Sequence, residues 1–160
     1  MSASERLAEL NLTLPPVAAP VAAYIPALVD DGKVRTSGQL PFQDGVLVST
    51  GACGSPNVEL SSAQVAARQA ALNALAAAAE AAGGLELIES VIKVTGFVSS
   101  TPDFYGQPQV VDGASELFQV LFGTSHIRSA VGVAALPLDA TVELEVEFKL
   151  ASSELRPIQN

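Results

Sequence analysis

The sequence contains no tryptophan, one cysteine and one histidine, and these scarcities exclude several kinds of site. A lone Cys53 cannot form an internal disulfide. With only His126 beside it, the chain cannot supply the cysteines and histidines of a zinc site. We therefore interpret Cys53 as a small apolar filler and His126 as a solvent-exposed loop residue outside any site.

Positive charge is also scarce, since 8 Lys and Arg face 17 Asp and Glu, for a formal net charge of −9. Such a field opposes binding to phosphate backbones and to anionic membrane surfaces. The longest apolar helical run, residues 70–82, is Ala-rich and interrupted by Asn73 and Glu80, so it is too short and too weakly hydrophobic to span a bilayer. We expect no nucleic-acid partner and no membrane partner.

The first ten residues, MSASERLAEL, show neither an apolar signal region nor an Arg-rich transit pattern, which favours a cytoplasmic location. The 160 residues, 49% of them hydrophobic, suit one domain with a sizeable core. Residues 4–10 can form a helical turn before a proline-rich stretch. We therefore predict an N-terminal extension at 1–18, a domain at 19–150 and a polar tail at 151–160.

Within that domain the pattern predicts strands and two helices. Two β-prone runs flank Asp31-Gly32, a pair that suits a tight hairpin turn. A helix is expected over about 62–82, with Ser61 or Ser62 as its cap and Gly83-Gly84 at its end, and a second over 110–122, ended by Gly123. Strands are expected at 85–100, 128–136 and 141–150.

The last of these strands alternates strictly between apolar residues and the charged residues Glu143, Glu145, Glu147 and Lys149. Its apolar face should pack against both helices, giving a mixed α/β (α+β) sheet with both helices on one face. The row of glutamates then needs partners such as Arg35, Lys93 or Lys149, or water.

Most catalytic motifs are missing from the sequence, including GxSxG, HExxH, Walker A and GxGxxG. Arg128 is the most informative residue, because it stands where a loop enters an apolar strand and can offer a planar fork to a carboxylate. An equally simple reading is a surface pair with a neighbouring Glu.

Two motifs resemble the RidA/YjgF family of reactive-intermediate deaminases. They are Thr36-Ser37-Gly38-Gln39 and Arg128-Ser129 followed by VGVAALP, Asp139 and VELEVE, and the resemblance covers roughly 19–150. It implies a chorismate-mutase-like fold, a homotrimer and a cleft at each subunit interface. By the same resemblance, Arg128 would hold a substrate carboxylate and Glu143 would act on the hydrolytic water.

The resemblance also implies a substrate pocket. Tyr24 would cover it, Ser37 would line it, and the backbone at Gly38 and Ala130 would contribute. The alternative for Tyr24 is a half-buried core or interface aromatic, and for Ser37 a hydroxyl bonded to the backbone.

Three residues depart from the family pattern. Asp112, or its neighbour Val111, falls where many members have Asn, Ala130 replaces a Cys, and Ile127 replaces a small residue or Pro. If Asp112 faced the pocket, it would repel an acidic substrate.

These features predict a 2-enamine/2-imine deaminase that hydrolyses a small carboxylate-bearing substrate to a 2-oxo acid and ammonium without metal or organic cofactor. One alternative is a non-catalytic trimer that binds small metabolites. An endoribonuclease ranks last, since the chain is acidic and lacks a pair of histidines.

Overall fold

A computed structural model describes residues 1–17 and 23–152, which form three helices and seven strands. The elements are α1 (Ala3–Glu9), β1 (Ala27–Asp30), β2 (Lys33–Thr36), β3 (Phe42–Gln43), β4 (Val46–Leu47), α2 (Leu60–Ala82), β5 (Ile88–Ser99), α3 (Gln107–Phe122), β6 (Ile127–Val133) and β7 (Val142–Leu150). Short 3₁₀ turns occupy Leu85–Leu87 and Pro137–Asp139.

The main sheet has five strands in the order β1-β2-β7-β5-β6, and β3 and β4 form a separate small hairpin. Neighbouring strands of the main sheet are antiparallel except β5 and β6, which are parallel because α3 carries the chain from the end of one to the start of the other. The mixed sheet that the sequence predicts is confirmed.

The two faces of the sheet differ, and residues paired across neighbouring strands share a face. Val94 of β5 is fully buried and pairs with Arg128 on one side and Val146 on the other. Phe97 pairs with Val131 and Glu143. Arg128 therefore belongs to the face that α2 and α3 cover, here called the helix face, whereas Glu143 belongs to the opposite, open face.

The core lies between the helix face and the two long helices. α2 presents buried alanines, among them Ala63, Ala67, Ala70 and Ala74, and so approaches its neighbours closely. At the contact with α3, a Cβ added to Gly113 would overlap the Gln64 carbonyl oxygen. The predicted packing of the apolar side of β7 against the helices is confirmed, since its apolar residues from Val142 to Phe148 are buried.

Several predicted boundaries and signals are confirmed. The Asp31-Gly32 turn has positive φ at both residues, and Gly83 and Gly123 end α2 and α3 in the left-handed conformation.

The predicted serine cap of α2 is wrong: the helix begins at Leu60 behind Glu59, with no side-chain cap. α3 begins at Gln107 rather than at Val110, because Pro108 suits the first turn of a helix.

The N-terminal residues contribute a third helix to the fold. Ser2 and Glu5 cap α1 reciprocally, and Leu7 enters the core with 4% of its surface exposed. Arg6 donates hydrogen bonds of 3.1 Å to the carbonyls of Val120 and Leu121 at the end of α3. Of the predicted divisions, the one after residue 18 and most of the tail at 151–160 lie outside the described residues.

Cys53 lies in the core, as the sequence predicts, with 2% of its surface exposed. Its amide donates to the Ser99 carbonyl at 2.7 Å, and its own carbonyl accepts from the Thr101 amide at 2.9 Å. These two bonds join the loop around Cys53, residues 51–57, to the end of β5.

Candidate functional site

Arg128 lies at the start of β6, beneath α3. Its Nη1 donates to Oδ1 of Asp112 at 2.7 Å and to Oγ of Ser115 at 3.2 Å. One quarter of the side chain is exposed. Within residues 1–17 and 23–152, Nε and Nη2 of Arg128 donate no hydrogen bond, so α3 orients the guanidinium through one of its three nitrogens and leaves the other two free.

The ionic partner of Arg128 is therefore Asp112. The alternative considered from the sequence, a surface pair with a neighbouring Glu, is wrong. Asp112 and Arg128 are 16 residues apart in sequence, and the β5–α3–β6 connection brings them together. Val111, the other residue at the position where relatives have Asn, is fully buried in the core. Asp112 thus places a carboxylate directly on the arginine.

His126 is half-buried, so the interpretation of this residue as a solvent-exposed bystander is wrong. Its Nε2 lies 3.0 Å from Oγ of Ser115, the hydroxyl that accepts from Arg128. Its Nδ1 is buried without a hydrogen-bond partner among the described residues. Burial and then the charge of Arg128 lower the pKa of His126, which favours the neutral imidazole.

A shallow cavity of about 340 Å³ opens beside this group. Its lining residues come from the last turns of α3 and from the segment that enters β6: Ser115, Glu116, Gln119, Ser125, His126 and Arg128. The guanidinium is thus accessible from outside.

Glu143 and Gly38 form a second cluster on the other side of the sheet. The Glu143 carboxylate lies over the backbone of Gly38, where a Cβ would overlap its Oε1. Burial, and to a smaller extent the charge of Glu145, raises the pKa of Glu143. A carboxylate with a raised pKa is a better proton acceptor than an exposed one.

Ser37 and Tyr24 lie near this second cluster in sequence and differ in their surroundings. Ser37 Oγ donates to the carbonyl of Ile25 at 2.6 Å, so its hydroxyl is bonded to the backbone. Tyr24 is 57% exposed in the single chain, so it is not a half-buried core aromatic, and the alternative of an interface aromatic stays a prediction. Its phenol is free to cover a ligand or to meet another subunit.

The sequence predicts seven site residues, and within one chain they do not meet in one place. They are Tyr24, Ser37, Gly38, Asp112, Arg128, Ala130 and Glu143. Ala130 pairs with the buried Gly96 and so shares the helix face with Arg128 and Asp112. Glu143 and Gly38 lie together, with Ser37 adjacent in sequence, and Glu143 projects from the open face. A single pocket built from all of them would require contributions from two chains.

The remaining glutamates of β7 are partly paired. Glu147 accepts from Lys33 at 3.2 Å and from Arg35 at 3.0 Å. Burial by itself would raise the pKa of Glu147, but the bonds and charges of these two cations lower it overall. Of the partners expected from sequence, Arg35 meets Glu147, whereas Lys149 pairs with Glu89 at 2.8 Å.

Two classes of feature are missing from the described residues. None of the helices within 1–17 and 23–152 is long and apolar enough to cross a membrane. In the same ranges, no three His, Cys, Asp or Glu side chains come together as a metal site would require.

Comparison with known proteins agrees with the fold and with the suspected family. The family model described as "YjgF/chorismate mutase-like, putative endoribonuclease" matches residues 4–148, so the chain belongs to that family. Protein TCP17 of Trypanosoma cruzi is 37% identical over 147 residues, which are 90% of this chain and 91% of that protein.

Two crystal structures show how closely the fold is shared. Atu1372 from Agrobacterium tumefaciens, a protein of unknown function, is 39% identical, with a TM-score of 0.85 over 93% of this chain and 92% of that one. A protein from Shewanella oneidensis, described as a putative endoribonuclease, is 30% identical, with a TM-score of 0.88 over 94% of this chain and 100% of that one. The suspected family is thereby confirmed.

Sequence reasoning missed Ser115 and misread His126. Ser115 contacts both Arg128 and His126, and it can do so only because α3 crosses back over the start of β6. The available signal was the spacing of Asp112 and Ser115, since residues three apart lie on one face of a helix.

Proposed function

We propose that the chain hydrolyses small 2-imino acids and their 2-enamine tautomers to 2-oxo acids and ammonium. In the protonated imine form the reaction is R–C(=NH2⁺)–COO⁻ + H2O → R–CO–COO⁻ + NH4⁺. Water adds to the imine carbon, and the C–N bond then breaks as nitrogen leaves with the added proton. Such substrates are already activated, so positioning and one proton acceptor suffice.

The observation that carries this proposal is the hydrogen bonding of the Arg128 guanidinium. Its Nη1 is fixed by Asp112 and Ser115, while Nε and Nη2 donate to no described residue. Those two nitrogens form one edge of the guanidinium, the edge that binds a carboxylate with two parallel hydrogen bonds. The substrate carboxylate would bind there, with Ala130 two residues along the same strand.

Glu143 would act on the attacking water. The raised pKa makes the Glu143 carboxylate a stronger proton acceptor than an exposed one. Its position over Gly38 places the carboxylate beside a backbone that can donate hydrogen bonds to a ligand, and Tyr24 would close over the bound substrate. This assignment rests on the family resemblance together with the Glu143–Gly38 contact.

Because Arg128 and Glu143 lie on opposite faces of one chain's sheet, we place the complete site between subunits of a homotrimer. The open face supports self-association. It carries the exposed apolar residues Leu28, Ile127 and Val131 on the two edge strands, β1 and β6, each one strand away from β7. Light scattering should give a mass three times that of the 16.4-kDa chain, and a purely monomeric protein would rule out the shared site.

The activity test is ammonia release and 2-oxo acid formation from freshly generated 2-aminoacrylate and longer imino acids. The native chain should accelerate the formation of both products equally, and Arg128→Ala should lose most of that rate enhancement. Lys33→Ala is a matched control, because it removes a cation from the far end of the same sheet. Equal rates with and without the native chain, across several side-chain sizes, would refute the deaminase.

A non-catalytic metabolite-binding protein is the second candidate, and the Asp112–Arg128 pair favours it because Asp112 partly neutralises the arginine. Saturable binding of a 2-oxo acid without ammonia release would support that function. Endoribonuclease activity, which the family description includes, conflicts with a net charge of −9 and a single histidine.

A further inference from the structure

A groove runs between α2 and α3 on the side of the helices that points away from the sheet. Its volume is about 390 Å³, and Gln64 of α2 and Gly113 of α3 are among its lining residues. Val65 and Val120 line it as well, with 60% and 49% of their surfaces exposed. This outer groove therefore presents apolar side chains to solvent from both helices.

One cation and one anion flank the outer groove. Arg68 belongs to α2 and Glu116 to α3, and both residues are exposed. In the part of the chain that the structure describes, neither of them forms an ion pair. Each charge is thus available to a partner of opposite sign.

The contact between the two helices fixes the level of these charges along the groove. α2 and α3 run in the same direction, because α2 leads into β5 and α3 leads into β6, which is parallel to β5. Gly113 packs on the backbone of Gln64, so these two residues share one level. Arg68 lies four residues beyond that level and Glu116 three, so they stand almost opposite each other on the two walls.

A two-fold axis through the outer groove pairs these residues with those of a second chain. Rotation about an axis midway between Arg68 and Glu116 brings each of them over the other residue of the partner chain. That midpoint lies three and a half residues beyond the Gly113 contact, and the midpoint of Val65 and Val120 lies four residues beyond it. With a rise of about 1.5 Å per residue, the two midpoints agree to within about 1 Å. One axis therefore satisfies both the charges and the valines.

We propose that the outer groove is a self-association surface, on which a second copy of this chain docks through its own outer groove. The contact contains two Arg68–Glu116 ion pairs and two Val65–Val120 contacts, each made once in either direction. The groove and the open face of the sheet lie on opposite sides of the chain. The contact would therefore join two of the trimers that the proposed function requires, and it does not depend on their formation.

The contact should be weak and sensitive to salt, because exposed ion pairs contribute little each and are screened. The test is the weight-average mass, measured by sedimentation equilibrium over a dilution series at low salt. The mass of the native protein should double between the dilute limit and high concentration. Higher salt should shift that doubling to higher protein concentration.

Charge exchange tests the pairing itself. Arg68→Glu places two glutamates opposite each other twice per contact, and it should raise the dissociation constant of the contact at least about tenfold. The double variant Arg68→Glu/Glu116→Arg restores opposite charges with their positions exchanged. Its dissociation constant should return to within about threefold of the native value.

Glu116→Arg separates the proposed contact from a general effect of net charge. This substitution makes the chain less negative, so general repulsion between chains would weaken and association would strengthen. The proposed contact predicts the reverse, since two arginines would then oppose each other. The proposal fails if the native mass does not rise with concentration, if Glu116→Arg associates as well as the native protein, or if the double variant stays dissociated.

The dilute mass tests the trimer separately. A dilute mass of one chain that doubles to two would refute the site shared within a trimer and keep the outer-groove contact. A dilute mass of three chains that never doubles would do the reverse. Both substituted positions are exposed, and thermal unfolding of each variant at one protein concentration confirms that the compared proteins are folded.

Discussion

Gly113 is in the middle of α3, and its replacement by alanine sets two effects of opposite sign against each other. Helix propensity favours alanine over glycine by about 1 kcal/mol in a helix interior. The packing opposes it, since a Cβ at Gly113 would lie 2.8 Å from the carbonyl carbon and 3.0 Å from the Cα of Gln64 in α2. The Gln64 carbonyl oxygen would be nearer still, at 2.1 Å. These atoms are backbone and cannot rotate away, so the two helices must separate by roughly 1 Å.

We expect the packing term to exceed the propensity term. Overfilling a close-packed contact costs about 1–3 kcal/mol, and separation of α2 from α3 also weakens the dispersion contacts along the alanine surface of α2. The net loss should be about 1–2 kcal/mol, which lowers the Tm of a domain of this size by roughly 2–8 °C.

The measurement is thermal and urea unfolding of native protein and Gly113→Ala at one protein concentration. Gln119→Ala is the control, because it changes an exposed position of the same helix and should shift stability by less than about 0.5 kcal/mol. A Gly113→Ala protein more stable than the native one by the propensity difference would refute the close helix contact.

Two further predictions concern the candidate site. Burial and then the Arg128 charge lower the pKa of His126 from its ordinary 6.5, so the free energy of unfolding should be intact above pH 6.5 and fall as the pH drops below it. Urea unfolding at pH about 7.5 and about 5.5 should show a smaller loss of stability in His126→Gln than in the native protein. An equal loss in both proteins would contradict the assignment. Gly38→Ala should displace only the flexible end of the Glu143 side chain. We therefore expect a Tm within about 2 °C of the native value but slower ammonia release. Unchanged turnover would argue against a role for Glu143 at that position.

The elements with the strongest local signals could be predicted from sequence. The strict alternation of β7, the Asp31-Gly32 turn and the glycines that end α2 and α3 each depend on one residue and its immediate neighbours. The start of α2 could not, because two adjacent serines suggest a cap, whereas the chain enters the helix at Glu59 with no side-chain bond.

Arg128 and Asp112 of the candidate site could be singled out from sequence, whereas Ser115 and the arrangement of the site could not. Arg128 follows from the position of a cation at a strand entrance together with the family motif. Its ion pair depends on how α3 crosses β6, and the opposite faces of Arg128 and Glu143 depend on the register between three strands. Neither the crossing of α3 over β6 nor the strand register can be seen in a local sequence pattern. For the same reason the sequence did not show that His126 is half-buried.

The hydrogen bonds from Arg6 to the last carbonyls of α3 have a consequence for the distant site. α3 ends at Phe122, and the next few residues lead directly to His126 and Arg128. The N-terminal helix therefore braces the segment that delivers the guanidinium, although no residue of α1 lines the cavity. Removal of the first nine residues would therefore loosen the end of a helix more than a hundred positions away in sequence, and we expect the position of the guanidinium to become less fixed.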